Sequence, residues 1–477
     1  VKRGFEVTSS RELMEQRKPF EALERQVVER ALKRPGELDG PVVDALRYVI
    51  NFAKLCAARD VDGHDHDLRD VLSPFAWRVR ETLEARLRDE SEGLWAAARV
   101  LPELVTATRQ RRDALVTHLG LDLEALNREV CTRKLVLVLG GGGGAGYGYA
   151  GVFSKLAKYD LVPDLICGTS IGALLGTFRA RSKFYDAAQL QEANKRLSFN
   201  TVFQLAPEPS RYGLPATLRL HLRAALGDFL RTESGEVARI NELAIPMRII
   251  GTGLTVDAMR HSLDFYEHFL DDVVRPGGAF RLRGLGKMAN LAQILAEFAN
   301  NPQSLREVIF GADPGTEEMD VLDCAGFSAS VPGLLHYDVH RDDKRMKMLL
   351  DRLYAERGIT RLTEGGVVNN VPARVGFREA MEGKLGGVRN HVILAIDCFP
   401  PRASSLLLYP IQQIARANVT RNIPYATVYL PLQRTLSPMQ LVASVEDVGR
   451  AGRWAIEELK PHMPYINRLM TPIAALA

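Results

Sequence analysis

The chain opens with a long stretch of helical periodicity. Between residues 10 and 130 apolar positions recur at a spacing of about 3.6, with interruptions at Pro35-Gly36, Gly63 and Ser73-Pro74, and the pattern predicts four or five helices. Val42, Leu46, Val49, Ile50 and Phe52 mark one apolar stripe; Leu94, Trp95, Ala98, Leu101 and Leu104 mark another. Such faces must be buried, and a helical cap or subunit-contact region accounts for them, with a regulatory or membrane-docking module as the alternative. After residue 130 the pattern changes. Residues 134–139, KLVLVL, form a continuous apolar run, which reads as a buried parallel strand. Leu165, Ile166 and Cys167 read as a second short strand and residues 391–396 as a third. Residues 151–159 and 171–178 read as helices between and after them. The order is strand, Gly-rich loop, helix, strand, sharp turn, helix, and right-handed crossovers put the loop and the turn on the same edge of a parallel sheet.

Further along, residues 402–421 read as a helix and residues 426–430 as a strand. Ser437 with Pro438 then makes a strong helix start, with Leu441, Val445, Val448, Gly452, Ala455 and Leu459 on one face. The expected organisation is a helical N-terminal region (1–130), an α/β domain with a mainly parallel sheet (131–400), and C-terminal helices closing that domain (401–477). Residues 255–325 are expected to be a helical insertion or lid. Within them, residues 275–287 interleave Arg281, Arg283 and Lys287 with Phe280, Leu282 and Leu285, a composition suited to an anionic lipid surface as well as to a plain surface loop. A helix over residues 288–298 follows.

Composition narrows the classes. With 46% hydrophobic and 25% charged residues in 477, the chain is globular and long enough for two or three domains. Its net charge of +4, from 62 basic and 58 acidic side chains, gives no case for nucleic-acid binding. Five cysteines without CxxC spacing suit a reduced compartment. The N-terminus lacks an apolar signal core, and no run of about 18 apolar residues appears. These features lead to an expectation of a cytoplasmic protein with room for peripheral membrane contact. Asp60, Asp62, His64, Asp65, His66 and Asp67 match neither the EF-hand loop nor HExxH, so a solvated linker is expected and no metal site or cofactor is assigned.

The chemistry concentrates in two stretches. Gly168-Thr169-Ser170-Ile171-Gly172 has the form G-x-S-x-G at a strand-to-helix turn, where a nucleophilic serine stands exposed and the next amide faces a developing oxyanion. Residues 140–144 are five successive glycines after the first strand, whose amides can present N–H groups to an anion. Gly141, Gly143 and Gly146 also satisfy G-x-G-x-x-G, so a dinucleotide site is the rival reading. Against it, Asp164 precedes its strand where a ribose-binding acid would end it.

Together these motifs resemble the patatin-like phospholipases, over about residues 133–399. That family has a strand leading into a G-G-G-x-[RK]-G loop, then G-x-S-x-G, then a distant D-G-[GA] motif. Here Gly141 to Gly146 match the loop, Gly168 to Gly172 the serine turn, and Glu364-Gly365-Gly366 the third motif, followed by Asn370 and Pro372. Residues 245–252 and 328–333 are similar to the family's strand after the serine turn and to its small-residue helix end. The resemblance implies a three-layer α/β/α domain and a serine lipid acyl hydrolase, phospholipase A- or lysophospholipase-like, working through an acyl-enzyme. It implies Ser170 as nucleophile and Glu364 as its acid partner in a dyad, with amides of Gly142, Gly143, Gly144 and Ile171 as the oxyanion hole. It implies a lipid or membrane-surface substrate, no nucleic acid, and no cofactor. Two positions depart from the pattern: Ala145 stands where the loop's basic residue belongs, and Glu364 where the family has aspartate. The alternative is a catalytically weak binding or scaffold protein of the same fold. His336, His340 and His391 would be the bases of a triad, but their strand-like settings suit structural roles, and Asp397 is a spare acid at a strand end.

Overall fold

The computed structural model describes residues 5–89, 91–204, 210–258, 301–401 and 409–476. By its contacts the chain forms two compact units, neither of them contiguous: one comprises residues 1–135, 377–392 and 461–477, the other residues 136–376 and 393–460.

The first unit is built on five helices, α1 (Ser10–Lys33), α2 (Gly40–Ala53), α3 (Arg69–Leu87), α4 (Trp95–Leu119) and α5 (Leu123–Cys131). Their apolar stripes meet in one core that includes Leu23, Val27, Leu46, Ile50, Leu83 and Leu104. The expected break at Ser73-Pro74 does not occur. Pro74 lies inside α3, as Pro19 lies inside α1 and Pro102 inside α4, each forgoing one backbone hydrogen bond that packing of the helix offsets. The expected solvated linker is likewise corrected to a small antiparallel hairpin, β1 (Ala57–Arg59) with β2 (Asp65–Asp67). Its turn closes on Asp60, whose carboxylate accepts the amides of Asp62 and His64 at 3.0 and 2.8 Å and lies 2.7 Å from His66 Nε2.

This unit buries a charge cluster as well as apolar surface. Glu24 accepts from Arg47 Nε at 3.1 Å and Asn51 Nδ2 at 3.3 Å, bonds Arg133, and lies 3.9 Å from Lys54 Nζ. Burial alone would raise the Glu24 pKa, but Arg133, Lys54 and Arg47 outweigh it and bring it down to about 2. Lys54, buried beside two arginines, falls to about 7. Stripping one partner from such a cluster leaves buried charge uncompensated.

The second unit is organised on a seven-stranded sheet with the order β10-β7-β4-β3-β11-β12, and β8 pairs with β7. The strands are β3 (Lys134–Leu139), β4 (Leu165–Thr169), β7 (Met247–Leu254), β8 (Leu305–Phe310), β10 (Arg361–Thr363), β11 (His391–Asp397) and β12 (Val428–Pro431). Pairs β3/β4, β4/β7 and β11/β12 are parallel, whereas β8 and β10 run antiparallel to β7. Every residue of β4 is buried, as is all of β3 except Lys134, as strands covered on both faces require. Helices α6 (Tyr149–Ala157) and α7 (Ile171–Ala180) follow β3 and β4. A separate three-stranded sheet joins β5 (Phe203–Gln204), β6 (Ala216–Leu220) and β9 (Gly333–His336).

Two expectations change here. The segment expected as a helical insertion contains β8, and its basic stretch with Arg281, Arg283 and Lys287, like the helix over 288–298, lies outside the described residues. The helix expected from Ser437 begins instead at Val445, capped by Ser444, whose Oγ accepts from the Asp447 amide at 3.1 Å. Ser437 closes a turn, its carbonyl accepting from Gln440 N at 2.9 Å.

The Glu24 cluster yields the first prediction. Glu24→Gln should destabilise the protein by about 3–5 kcal/mol at neutral pH, read as a drop in denaturation midpoint. Because the folded Glu24 pKa of about 2 lies below its unfolded value of about 4.5, this stabilisation is complete above about pH 4.5 and is lost as pH falls toward 2. The gap between variant and wild type should therefore close on acidification; a gap constant from pH 7 to pH 2.5 would count against the cluster.

Candidate active site

Ser170 stands between the end of β4 and the start of α7 with φ 55° and ψ −124°, one of two non-glycine residues with positive φ among those described. An L-residue reaches that region at a cost, so its surroundings must hold it. The Ser170 amide donates to Ser328 Oγ at 2.8 Å, and its carbonyl accepts from Ala173 and Leu174 as the first turn of α7. Gly172 permits the tight passage: a Cβ there would lie 2.2 Å from the Leu139 carbonyl oxygen. The side chain is only 6% exposed.

The Gly-rich loop runs directly beside it. A Cβ at Gly141 would meet Ser170 Cβ at 3.0 Å, Asn370 Oδ1 at 2.7 Å and Glu364 Oε1 at 3.5 Å, so absence of a side chain lets loop, serine and acid share one point. The loop's own amides are divided. Gly140 N donates to Ile396 O at 3.0 Å, Gly141 N to Asn370 O at 3.2 Å, and Gly144 N to Pro438 O at 3.0 Å. Gly144 was among the four expected oxyanion donors; with its N–H spent on Pro438, three remain. The amides of Gly142, Gly143 and Ile171 meet no acceptor among the described backbone. Ala145, at the position where a basic residue was expected by resemblance, is fully buried, which leaves no room for a long charged chain.

Glu364 follows β10 and is held through its backbone. Its amide donates to Ser330 O at 2.9 Å and its carbonyl accepts from Thr252 Oγ1 at 2.7 Å. The residue is 8% exposed, with Oε1 accepting from Gly366 N at 3.3 Å and the buried Oε2 completing no hydrogen bond. Burial drives its pKa up to about 8, against the lowering pull of the Gly366 amide and the neighbouring Ser170 hydroxyl. No cation among the described residues pairs with it.

Two residues with no site role in the sequence expectations brace this arrangement, Asn370 from the third motif's continuation and Asn418. Asn370 receives the Gly141 amide and donates from Nδ2 to Gly141 O at 3.3 Å. Asn418, on the helix Tyr409–Asn422, accepts from the Asn370 amide at 2.9 Å and donates to Gly366 O at 2.9 Å. Asn418 and Asn422 are buried four positions apart on that helix, and two buried asparagines on one helical face were the available signal. The loop around Pro438 is the other omission, since Ser437-Pro438 reads locally as a helix start.

The remaining candidates have other partners. His336 Nδ1 bonds Leu214 O at 2.9 Å and His391 Nδ1 bonds Arg389 O at 2.7 Å, and none of the three histidines bonds Ser170. Asp397 accepts from the Phe399 amide and the Tyr429 hydroxyl at 2.8 and 2.7 Å. The Gly-rich loop, Ser170 and Glu364 share one space. That space is a cavity of about 240 Å³, lined by Ser170, Glu364 and Gly142 together with apolar side chains such as Leu174, Phe178 and Leu335. Among the described residues no helix is long and apolar enough to cross a membrane.

A search of curated proteins finds no match. The patatin-like phospholipase domain matches residues 137–377, a span that includes the Gly-rich loop, Ser170 and Glu364 and amounts to half of the chain. With the mainly parallel sheet and its serine turn, that match shows that the chain belongs to the patatin-like phospholipase family, whose members are lipid acyl hydrolases and generally serine hydrolases.

Proposed function

We propose that this protein is a serine acyl hydrolase of phospholipids or related lipid esters, with Ser170 as nucleophile and Glu364 as the base that takes its proton. The observation that carries the reading is a buried carboxyl, one oxygen unpartnered, beside a serine held at positive φ, both lining a largely apolar cavity. Ser170 Oγ attacks the ester carbonyl, its proton passes to Glu364, and the amides of Gly142, Gly143 and Ile171 stabilise the oxyanion. Collapse expels the alcohol, which takes the proton from Glu364. Glu364 then draws a proton from the water that attacks the acyl-enzyme and passes it to Ser170 Oγ as the fatty acid leaves, restoring both residues. The acyl chain occupies the apolar walls along Leu174 and Phe178.

A base with a pKa of about 8 is mostly protonated at pH 7, so only about a tenth of the enzyme is competent there. That observation also favours a second reading, a weakly catalytic binding protein of the same fold, and one experiment separates them. Labelling with a fluorophosphonate and hydrolysis of a soluble nitrophenyl ester should disappear in Ser170→Ala. In Glu364→Gln the rate should fall by about a hundred- to ten-thousandfold. Folded wild type that neither labels nor turns over at pH 9 selects the binding protein.

The pH dependence has a fixed sign. Since Glu364 must be ionised to accept a proton, kcat/KM should climb about tenfold per pH unit below 8 and level off above it; a plateau reached by pH 6 would rule out Glu364 as the base. Stability runs the opposite way. The folded pKa of about 8 exceeds the unfolded value of about 4.5, so the folded state keeps a proton that the unfolded state has lost, and wild-type stability declines as pH rises from about 4.5 through 8. Glu364→Gln lacks that proton linkage and should become progressively more stable than wild type toward alkaline pH, as read by chemical denaturation at pH 6 and pH 9.

A further inference from the structure

We propose that His336, Asp338 and His340 form a binding site for a zinc-class divalent cation. One ligand atom from each of the three lies within 4.8 Å of the others. In the sequence they alternate as His-x-Asp-x-His at the end of β9, a spacing that puts three side chains on one side of an extended chain.

The protonation pattern of His336 supports a ligand role. Its Nδ1 lies 2.9 Å from the Leu214 carbonyl oxygen, which can only accept, so Nδ1 carries the proton and Nε2 a bare lone pair. That Nε2 is buried, on a side chain 5% exposed, and has no partner. In a purely structural histidine an unpartnered buried nitrogen is a cost; in a metal ligand it is what the ion requires, and the opposite nitrogen ordinarily donates to a carbonyl as it does here. Asp338 is equally fixed. Its Oδ2 accepts the amides of Arg211, Tyr212 and Gly213 at 2.7, 2.9 and 3.3 Å, and Oδ1 accepts from Val339 at 2.7 Å, leaving Oδ1 a second lone pair. His340 is exposed, which gives an ion a way in.

Two imidazoles and one carboxylate favour zinc or a similar borderline ion over calcium or magnesium. Arg219, which pairs with His336 in the register of β6 and β9, and Arg361 place positive charge nearby and weaken the site, while Asp338 strengthens it. The ion should therefore be removable by a chelator. His336 directly follows Leu334 and Leu335, which line the cavity beside Ser170, so a bound ion would stiffen one cavity wall.

The test uses the full-length protein after EDTA treatment, titrated with zinc chloride by calorimetry and followed by thermal unfolding. The expected result is one equivalent bound with a rise in unfolding temperature. His340→Ala and His336→Gln should each weaken binding at least about tenfold. His64→Ala, which breaks the other possible ligand group at Asp60 and Asp62, should bind as wild type does. Absence of binding by folded wild type overturns the proposal, and so does unchanged binding in His340→Ala. Because His340 is exposed, that variant decides the matter even if His336→Gln fails to fold.

Discussion

A carboxyl group buried without a countercharge sets the terms for the α/β unit. The helical unit shows the usual solution: Glu24 is equally buried, yet Arg47, Lys54 and Arg133 surround it and hold it ionised. Among the described residues Glu364 has only a backbone amide and a serine hydroxyl, neither of which repays removal of a full negative charge from water. Glu364 therefore stays protonated until the pH approaches 8 and is basic once ionised. A cation placed beside it would stabilise the charge and, by the same amount, remove its appetite for a proton.

Holding such a group in place falls to neutral hydrogen bonds. Thr252 and Ser330 fix the backbone of Glu364, Ser328 fixes the amide of Ser170, and Asn370 with Asn418 ties the Gly-rich loop to the loop that carries the acid. None of these side chains bears charge, so they set geometry without shifting the acid's proton affinity through long-range fields. The positive φ of Ser170 is tolerated because these contacts over-determine it.

What could be read from the sequence was local. A continuous apolar run announces β3, and G-x-S-x-G between an apolar triplet and a helix announces the turn at Ser170, because both are dictated by neighbouring residues. What could not be read depends on distant partners. Ser437-Pro438 carries every local mark of a helix start, but its carbonyls are engaged across the fold by the Gly144 amide and by its own turn. The same bond removes Gly144 from the set of available amides. The hairpin at residues 57–67 looks like solvated polar sequence because its order comes from one carboxylate, Asp60, collecting amides and His66. β8 was hidden because its pairing partner β7 lies far upstream and its direction is antiparallel in a mainly parallel sheet.

The contact between the Gly-rich loop and the loop at residues 437–442 has a consequence during synthesis. Tyr147 hydroxyl bonds Leu441 O across 294 positions of sequence, and Gly144 bonds Pro438 over a similar span. A chain emerging from the ribosome carries Ser170 and Glu364 long before those clamps exist. The Gly-rich loop gains these two partners only once residues 438 and 441 have been made. The surroundings of Ser170 are thus completed by a later part of the chain than the one that carries Ser170 and Glu364, so the Gly-rich loop takes its final form only after both residues are in place.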